Sequence, residues 1–212
     1  VWAEQLVAES TGKSGKGLIP VDGETLRDPA AASKDRLVVE LQMGRERDER
    51  LKRQVDGYGA AGHPVIRLQW RDPYDVGGEV VRWFVATALV AHAMQINPFD
   101  EPNVKESKDR TVALLDRYAR ARSLPEDAPV LRDDGIAVYG TQPADSLTAA
   151  LRAWRAQIRA GDYVAVLSFL PRTPALDRAV ESLRVRVSDA TGMVTMLGYG
   201  PRYLHSTGQL HK

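Results

Sequence analysis

Three stretches of this chain concentrate side chains able to move a proton or hold a negatively charged oxygen. Residues 199–212 read YGPRYLHSTGQLHK. There His205 stands beside the hydroxyls of Ser206 and Thr207, followed by Gly208 and the amide of Gln209. An imidazole gives and takes protons near neutrality, hydroxyls and an amide bond to polyol or anionic oxygens, and Gly lets backbone come close. A polar tail has the same composition. Residues 3–13, AEQLVAESTGK, place Glu9 where a helical pattern gives way to glycine. A carboxylate there serves as general base beside a carbon acid, or ends as an ordinary solvated glutamate. Residues 97–108, NPFDEPNVKESK, carry Lys105 and Lys108 into the first turns of a helix, against the dipole's preference for anions. A cation kept there suits an oxyanion or a phosphate; two surface lysines are the plainer reading.

The remaining candidates are weaker. The loop STGKSGKG, residues 10–17, lacks the Walker spacing and reads as a flexible surface loop. His63 precedes a strand and His92 sits late in an apolar helix. Both read as structural, and neither forms a metal-binding spacing with His205.

The elements that must position these groups alternate. Helical periodicity covers residues 1–10, with Trp2, Leu6 and Val7 on one face and Gly12 as a C-cap. Strand patterns at 37–43 and 64–70 flank a charged helix at 45–58 closed by Gly57 and Gly59. Helices follow at 78–95, anchored by Trp83 and Phe84, and at 104–122, with Leu114, Leu115 and Tyr118 on one side. A Pro-containing acidic stretch at 123–134 reads as a linker. Beyond it come a strand at 136–139, a helix at 145–160, a buried strand YVAVLSFL at 163–170, a helix at 176–188 and a strand at 193–197. This alternation predicts an α/β fold, with a mainly parallel sheet flanked by helices.

Composition narrows the function. The 212 residues carry a net charge of +1 and 43% hydrophobic side chains, which allows a core and argues against a general nucleic-acid binder. The absence of cysteine fits a reducing compartment and excludes thiolate metal sites. No apolar run reaches the ~20 residues of a membrane helix. The opening VWAEQLVAES is already periodic and lacks an initiator Met, so the chain reads as a fragment of a longer polypeptide.

Together the three stretches resemble phosphoglucose isomerases (glucose-6-phosphate isomerases), most nearly the isomerase part of bacterial transaldolase/phosphoglucose isomerase fusions. EQLVAESTGKSGKGLIPV resembles the family's helix and E-S-x-G-K loop. INPFDEPNVKESK resembles its N-x-F-D-Q motif ending in lysine, and GYGPRYLHSTGQLHK resembles the closing segment of the fused proteins. The resemblance implies interconversion of glucose 6-phosphate and fructose 6-phosphate through a cis-enediol, with no metal and no cofactor. It implies a SIS-type α/β sandwich, with this chain as the second subdomain plus a C-terminal strand–helix extension. The domains would be 1–122 (SIS-like), 123–134 (linker) and 135–212 (α/β extension ending in the LHSTGQ loop).

By the same resemblance Glu9 is the base, Lys108 steadies the developing negative charge, and His205 helps open the sugar ring. Ser206, Thr207 and Gln209 bind substrate. Glu101 stands where the family has glutamine, and Lys105 where many members have glutamate. The implied partners are a sugar phosphate, the N-terminal part of the same polypeptide and, as is usual in the family, a second copy; nucleic acid and membrane are not expected. The location is cytoplasmic. The first subdomain's Ser/Thr-rich phosphate cradle is absent, so the fragment alone is expected to be inactive. The reading of another class is a noncatalytic SIS-type module that binds a sugar phosphate.

Overall fold

The computed structural model describes residues 2–23, 28–44, 48–100, 102–125, 127–140 and 142–211. In chain order its regular elements are α1 (Trp2–Thr11), β1 (Val38–Met43), α2 (Glu49–Ala60), β2 (Val65–Trp70), α3 (Asp75–Met94), α4 (Pro102–Ala121), β3 (Leu131–Asp133), β4 (Ile136–Val138), α5 (Leu147–Arg155), β5 (Tyr163–Ser168), α6 (Pro174–Thr191) and β6 (Val194–Tyr199). Single 3-10 turns occupy Pro29–Ala31, Arg202–His205 and Gly208–His211. The fold is mixed α/β. Its described strands form three two-stranded sheets, and no barrel closes among them.

Two compact units divide the chain, and the boundary differs from the expected one. The first joins residues 1–99 to 163–212; the second is Asp100–Asp162. The stretch 135–212 is therefore not one extension, and 123–134 is not where the chain divides. Part of that expected linker is strand β3, which pairs antiparallel with β4. The turn between them is Asp134–Gly135, with both residues at positive φ, as a two-residue type I′ hairpin requires. The Asp-Gly pair was the overlooked signal. Asp133 also accepts a hydrogen bond from the Leu147 amide at 3.2 Å, at the start of α5.

The first unit contains two parallel β-α-β units. β1 and β2 pair in register from Val38–Val65 to Met43–Trp70, with α2 as the crossover. Asp48 starts α2 by accepting from the amides of Arg50 and Leu51 at 2.9 and 3.1 Å. The helix continues through both glycines expected to close it. A Cβ on Gly57 would meet the Pro29 ring at 3.3 Å, so the glycine makes room for the 3-10 turn. His63 is structural, as expected. Its Nε2 lies 3.0 Å from the Pro29 carbonyl and its ring packs 5.3 Å from Tyr58.

β5 and β6 pair from Tyr163–Val194 to Ser168–Tyr199, with α6 as the crossover. Thr173 caps α6 at 3.1 Å, Pro174 fills its first turn and Gly192 ends it at φ +74°. One face of this sheet meets α6, where Tyr199 donates to Asp177 at 2.6 Å. Gly198 lies on the other face, beneath Tyr203 of the terminal segment. Both faces are partly covered, but the strand is not buried throughout as expected: of β5 only Val164 is buried, and Phe169 and Leu170 at the end of the apolar run are 62% and 59% exposed.

α1 ties the unit together by packing on both α3 and the C-terminal 3-10 turn. The inner line of α3 runs through Glu79, Trp83, Thr87 and Ala91, one side chain per turn. Phe84, expected as a core anchor, is instead 52% exposed and meets Trp2 edge-on at 5.9 Å.

Tyr58 is fully buried, and its hydroxyl has no hydrogen-bond partner among the described residues. An unpaired buried hydroxyl costs free energy that phenylalanine avoids. Tyr58→Phe should therefore be neutral or stabilising by up to about 1 kcal/mol in urea unfolding. A clear loss of stability would show that the hydroxyl is satisfied.

Candidate functional site

The ESTGK segment turns out to be a structural node. α1 ends at Thr11, whose hydroxyl donates to the Val7 carbonyl at 2.7 Å and accepts from the Leu18 amide at 3.0 Å. Gly12 follows without a left-handed conformation, so it is not a C-cap glycine of the usual kind. Its need is space. A Cβ there would lie 2.6 Å from both the Ala8 carbonyl oxygen and the Leu210 Cα, and backbone atoms yield little. The C-terminal turn seats itself in that gap, and Gln209 Nε2 donates to the Gly12 carbonyl at 3.2 Å across 197 residues of sequence.

Lys13 and Lys16 correct the expectation of a flexible loop. Their backbones bond to each other at 3.1 and 3.0 Å around Ser14 and Gly15, both at positive φ. Lys13 is only 6% exposed, and its ammonium donates to the Asn97 carbonyl at 3.0 Å. The Lys16 ammonium donates to the Met94 carbonyl at 2.7 Å. Two cations thus sit at the carboxyl end of α3, where the helix dipole favours them. Asn97 also fixes the next turn, its Oδ1 accepting from the Phe99 amide at 3.0 Å. Gly12 and Lys13 therefore join the ends of α1 and α3 to the C-terminal turn.

The terminal segment takes a path different from the expected one. A polar stretch that follows a parallel strand ordinarily displays its groups at the carboxyl edge of the sheet. Instead this segment leaves β6 at that edge and doubles back over the sheet face. Gly198 permits this, since a Cβ there would stand 2.8 Å from the Tyr203 Cβ. Phe169 packs edge-on against Tyr203 at 5.6 Å. The segment ends beside Tyr163, the first residue of β5. His211 Nδ1 lies 2.8 Å from the Tyr163 hydroxyl, and its Nε2 lies 3.3 Å from the Thr207 hydroxyl. At the carboxyl edge itself stand other groups. Arg172 donates to both oxygens of Asp177 at 3.1 Å and stacks over Tyr199 at 5.2 Å. The Tyr199 hydrogen bond, with Arg172 beside it, holds the Asp177 carboxyl below its usual range; the same bond raises Tyr199.

Of the expected catalytic groups, Glu9 is half-buried on the last turns of α1 and accepts from Gln5 Nε2 at 3.3 Å. His205 is exposed at the end of the Arg202–His205 turn, and its side chain makes no hydrogen bond among the described residues. Both belong to the first unit, and no hydrogen bond joins them among the described residues. Lys108 is exposed on α4 in the second unit, without hydrogen bond or ion pair among the described residues; Lys105 pairs with Asp109 at 3.3 Å. Glu101 lies outside the described residues. Ser206 is half-buried and donates to the Tyr203 carbonyl at 3.3 Å. Thr207 and Gln209 are buried and already bonded to protein. Among the described residues no cluster of three His, Asp or Glu could hold a metal ion, and no helix is long and apolar enough to cross a membrane.

Sequence reasoning missed Tyr163, Tyr203 and His211. The available signal was the spacing of His211 four residues after Thr207, about one helical turn. No protein-family model, curated protein or solved structure matches this chain.

Two expectations follow. Gly12→Ala should cost about 1–3 kcal/mol in urea unfolding, because backbone must shift to admit the methyl. Gly15→Ala meets no atom and should cost only the left-handed strain, roughly 1–2 kcal/mol. Tryptic cleavage near the C-terminus should rise in the Gly12 variant and not in the Gly15 one.

The second concerns pH. Burial pushes His211 below its ordinary value of 6.5. The unfolded chain therefore takes up the proton first, so this contribution is complete above about pH 6.5 and is lost as pH falls below it through the lower folded-state value. The drop in melting temperature between about pH 7.5 and 5.5 should be smaller in His211→Asn than in the parent. Equal drops would show that His211 does not carry it.

Proposed function

We propose that this chain is part of a glucose-6-phosphate isomerase of the transaldolase-fusion type, forming its second SIS-type subdomain and the segment that closes it. The observation that carries the reading is the meeting at Gly12–Lys13. Gln209 reaches Gly12 at 3.2 Å and Lys13 reaches Asn97 at 3.0 Å, so parts of all three isomerase-like stretches share one node.

The proposed chemistry is proton transfer between adjacent carbons of an open-chain sugar phosphate. His205, exposed and unengaged, protonates the ring oxygen as its bond to the anomeric carbon breaks, while the anomeric hydroxyl gives its proton to water and becomes the open-chain carbonyl. Glu9 takes the proton from C2 of the aldose and returns it to C1, passing through a cis-enediol. The resemblance gives Lys108 the role of stabilising the negative charge that develops on oxygen. Ser206 sits beside His205 as a hydroxyl contact. Thr207 and Gln209 act from behind by holding the turn.

The rest of the same polypeptide supplies the phosphate cradle and covers apolar surface left open here. Val81, Phe84, Val85 and Leu89 form such a surface on α3, with Leu89 64% exposed. A cytoplasmic location and a dimer belong to the same reading. The burial of Thr207 and Gln209 favours one other reading, a sugar-phosphate-binding module without catalysis, in which the terminal turn is purely structural.

Fructose 6-phosphate turnover by the longer polypeptide separates the two. Glu9→Gln should lower kcat by about 10²–10⁴-fold, the usual worth of a general base, with binding largely kept. Lys108→Ala should lower kcat as well, and the isolated chain should be nearly inactive. Turnover unchanged in both variants would exclude the catalytic assignment, and binding without turnover in the parent would establish the module.

A further inference from the structure

His211 is absent from the roles assigned so far, yet it touches residues on both sides of His205. Its Nε2 lies 3.3 Å from the hydroxyl of Thr207, two residues after His205. Its ring meets that of Tyr203, two residues before, nearly edge-on at 6.3 Å. On the third side Nδ1 lies 2.8 Å from the Tyr163 hydroxyl, and the two rings are 5.7 Å apart. Tyr163 belongs to β5, whose register with β6 is fixed by six paired residues. The same hydroxyl lies 3.3 Å from the Leu210 carbonyl.

We propose that His211 is a positioning residue for His205, transmitting the fixed frame of β5 through Tyr163 to the turn that carries the exposed imidazole. The proposal rests on the isomerase reading for its catalytic meaning. The physical need is clear. The His205 side chain has no hydrogen bond among the described residues, so its placement depends on its backbone. That backbone is held by the Ser206 amide bond to the Tyr203 carbonyl at 3.0 Å and the Leu210 amide bond to the Thr207 carbonyl at 2.9 Å. Single 3-10 turns of this length are too short to be stable alone. His211 braces both turns against the sheet from one point.

The hydrogen-bond polarity fits. The Leu210 carbonyl can only accept, so the single tyrosine proton goes to it and Nδ1–H donates to the tyrosine oxygen at 2.8 Å. Nε2 of the neutral ring is then the acceptor, and the Thr207 hydroxyl donates to it at 3.3 Å. A phenylalanine at 211 keeps the ring packing and loses both bonds. A phenylalanine at 163 removes one oxygen atom and little else.

The test uses the longer polypeptide with two substrates: fructose 6-phosphate, and 5-deoxyfructose 6-phosphate, which lacks the oxygen that closes the ring. If His205 serves ring opening, the acyclic substrate bypasses it. His211→Phe and Tyr163→Phe should each lower kcat on fructose 6-phosphate about tenfold, keep KM within about twofold, and leave the acyclic substrate nearly unaffected. The double variant His205→Ala/His211→Phe should be no slower than His205→Ala alone, because both changes act on one group. Equal losses on the two substrates, multiplying losses in the double variant, or no loss at all would each overturn the proposal.

Amide hydrogen exchange supplies a readout independent of activity. Both variants should speed exchange across residues 203–210 at least tenfold and leave α6 unchanged. Unchanged exchange at 203–210 overturns the proposal even in a protein that isomerises nothing. Absence of isomerase activity in the unmodified polypeptide sinks the functional reading instead.

Discussion

The first unit depends on the close approach of two backbones at Gly12. The C-terminal turn enters a space that any side chain would fill, and Gln209 secures it through the Gly12 carbonyl. From the adjacent residue, the Lys13 ammonium reaches into the turn that follows α3. Steric emptiness at one residue and a buried cation at the next thus bring three distant parts of the chain together. Such contacts span long loops, whose closure entropy must be recovered by packing at the point of contact. The buried cluster of Val7, Ala8, Thr11 and Ala91 around this point is that packing.

The same node explains why the terminal segment doubles back. A stretch rich in polar groups, at the end of a parallel strand, would ordinarily be left facing solvent at the carboxyl edge. Here Gly198 admits Tyr203, Gly12 admits Leu210, and Tyr163 supplies a hydroxyl for His211. The polar residues of the segment divide accordingly. Thr207 and Gln209 turn inward and are satisfied by protein, while His205 stays outside. A motif that reads as one uniform binding loop is therefore an inner brace and an outer imidazole.

The second unit follows local rules more closely. α4 begins with proline in its first turn and carries Lys105–Asp109 and Glu106–Arg110 pairs along its surface. Its hairpin is set by Asp134–Gly135, and α5 starts at the Ser146 cap. Val112, Leu115 and Tyr118 on α4 are exposed, so this helix owes its description to length and local pairing rather than to burial.

How much was legible follows from where each instruction resides. Periodicity, capping residues and turn formers are local. They located β1, β2, β5, β6 and every long helix to within a few residues and gave the mixed α/β class, but the described strands form three separate pairs, two of them parallel, instead of the one mainly parallel sheet expected. The resemblance named Glu9, Lys108 and His205 as candidates by motif. Tertiary contact decided what no local pattern encodes. It made Gly12 a packing site instead of a cap, Lys13 a buried clamp instead of a loop cation, and Phe84 a partly exposed side chain instead of an anchor. It also brought His211 to Tyr163, 48 residues away in sequence. A side chain's type and spacing report what it is able to do. Its burial and partner depend on which distant backbone arrives beside it, and that is settled only when the chain closes.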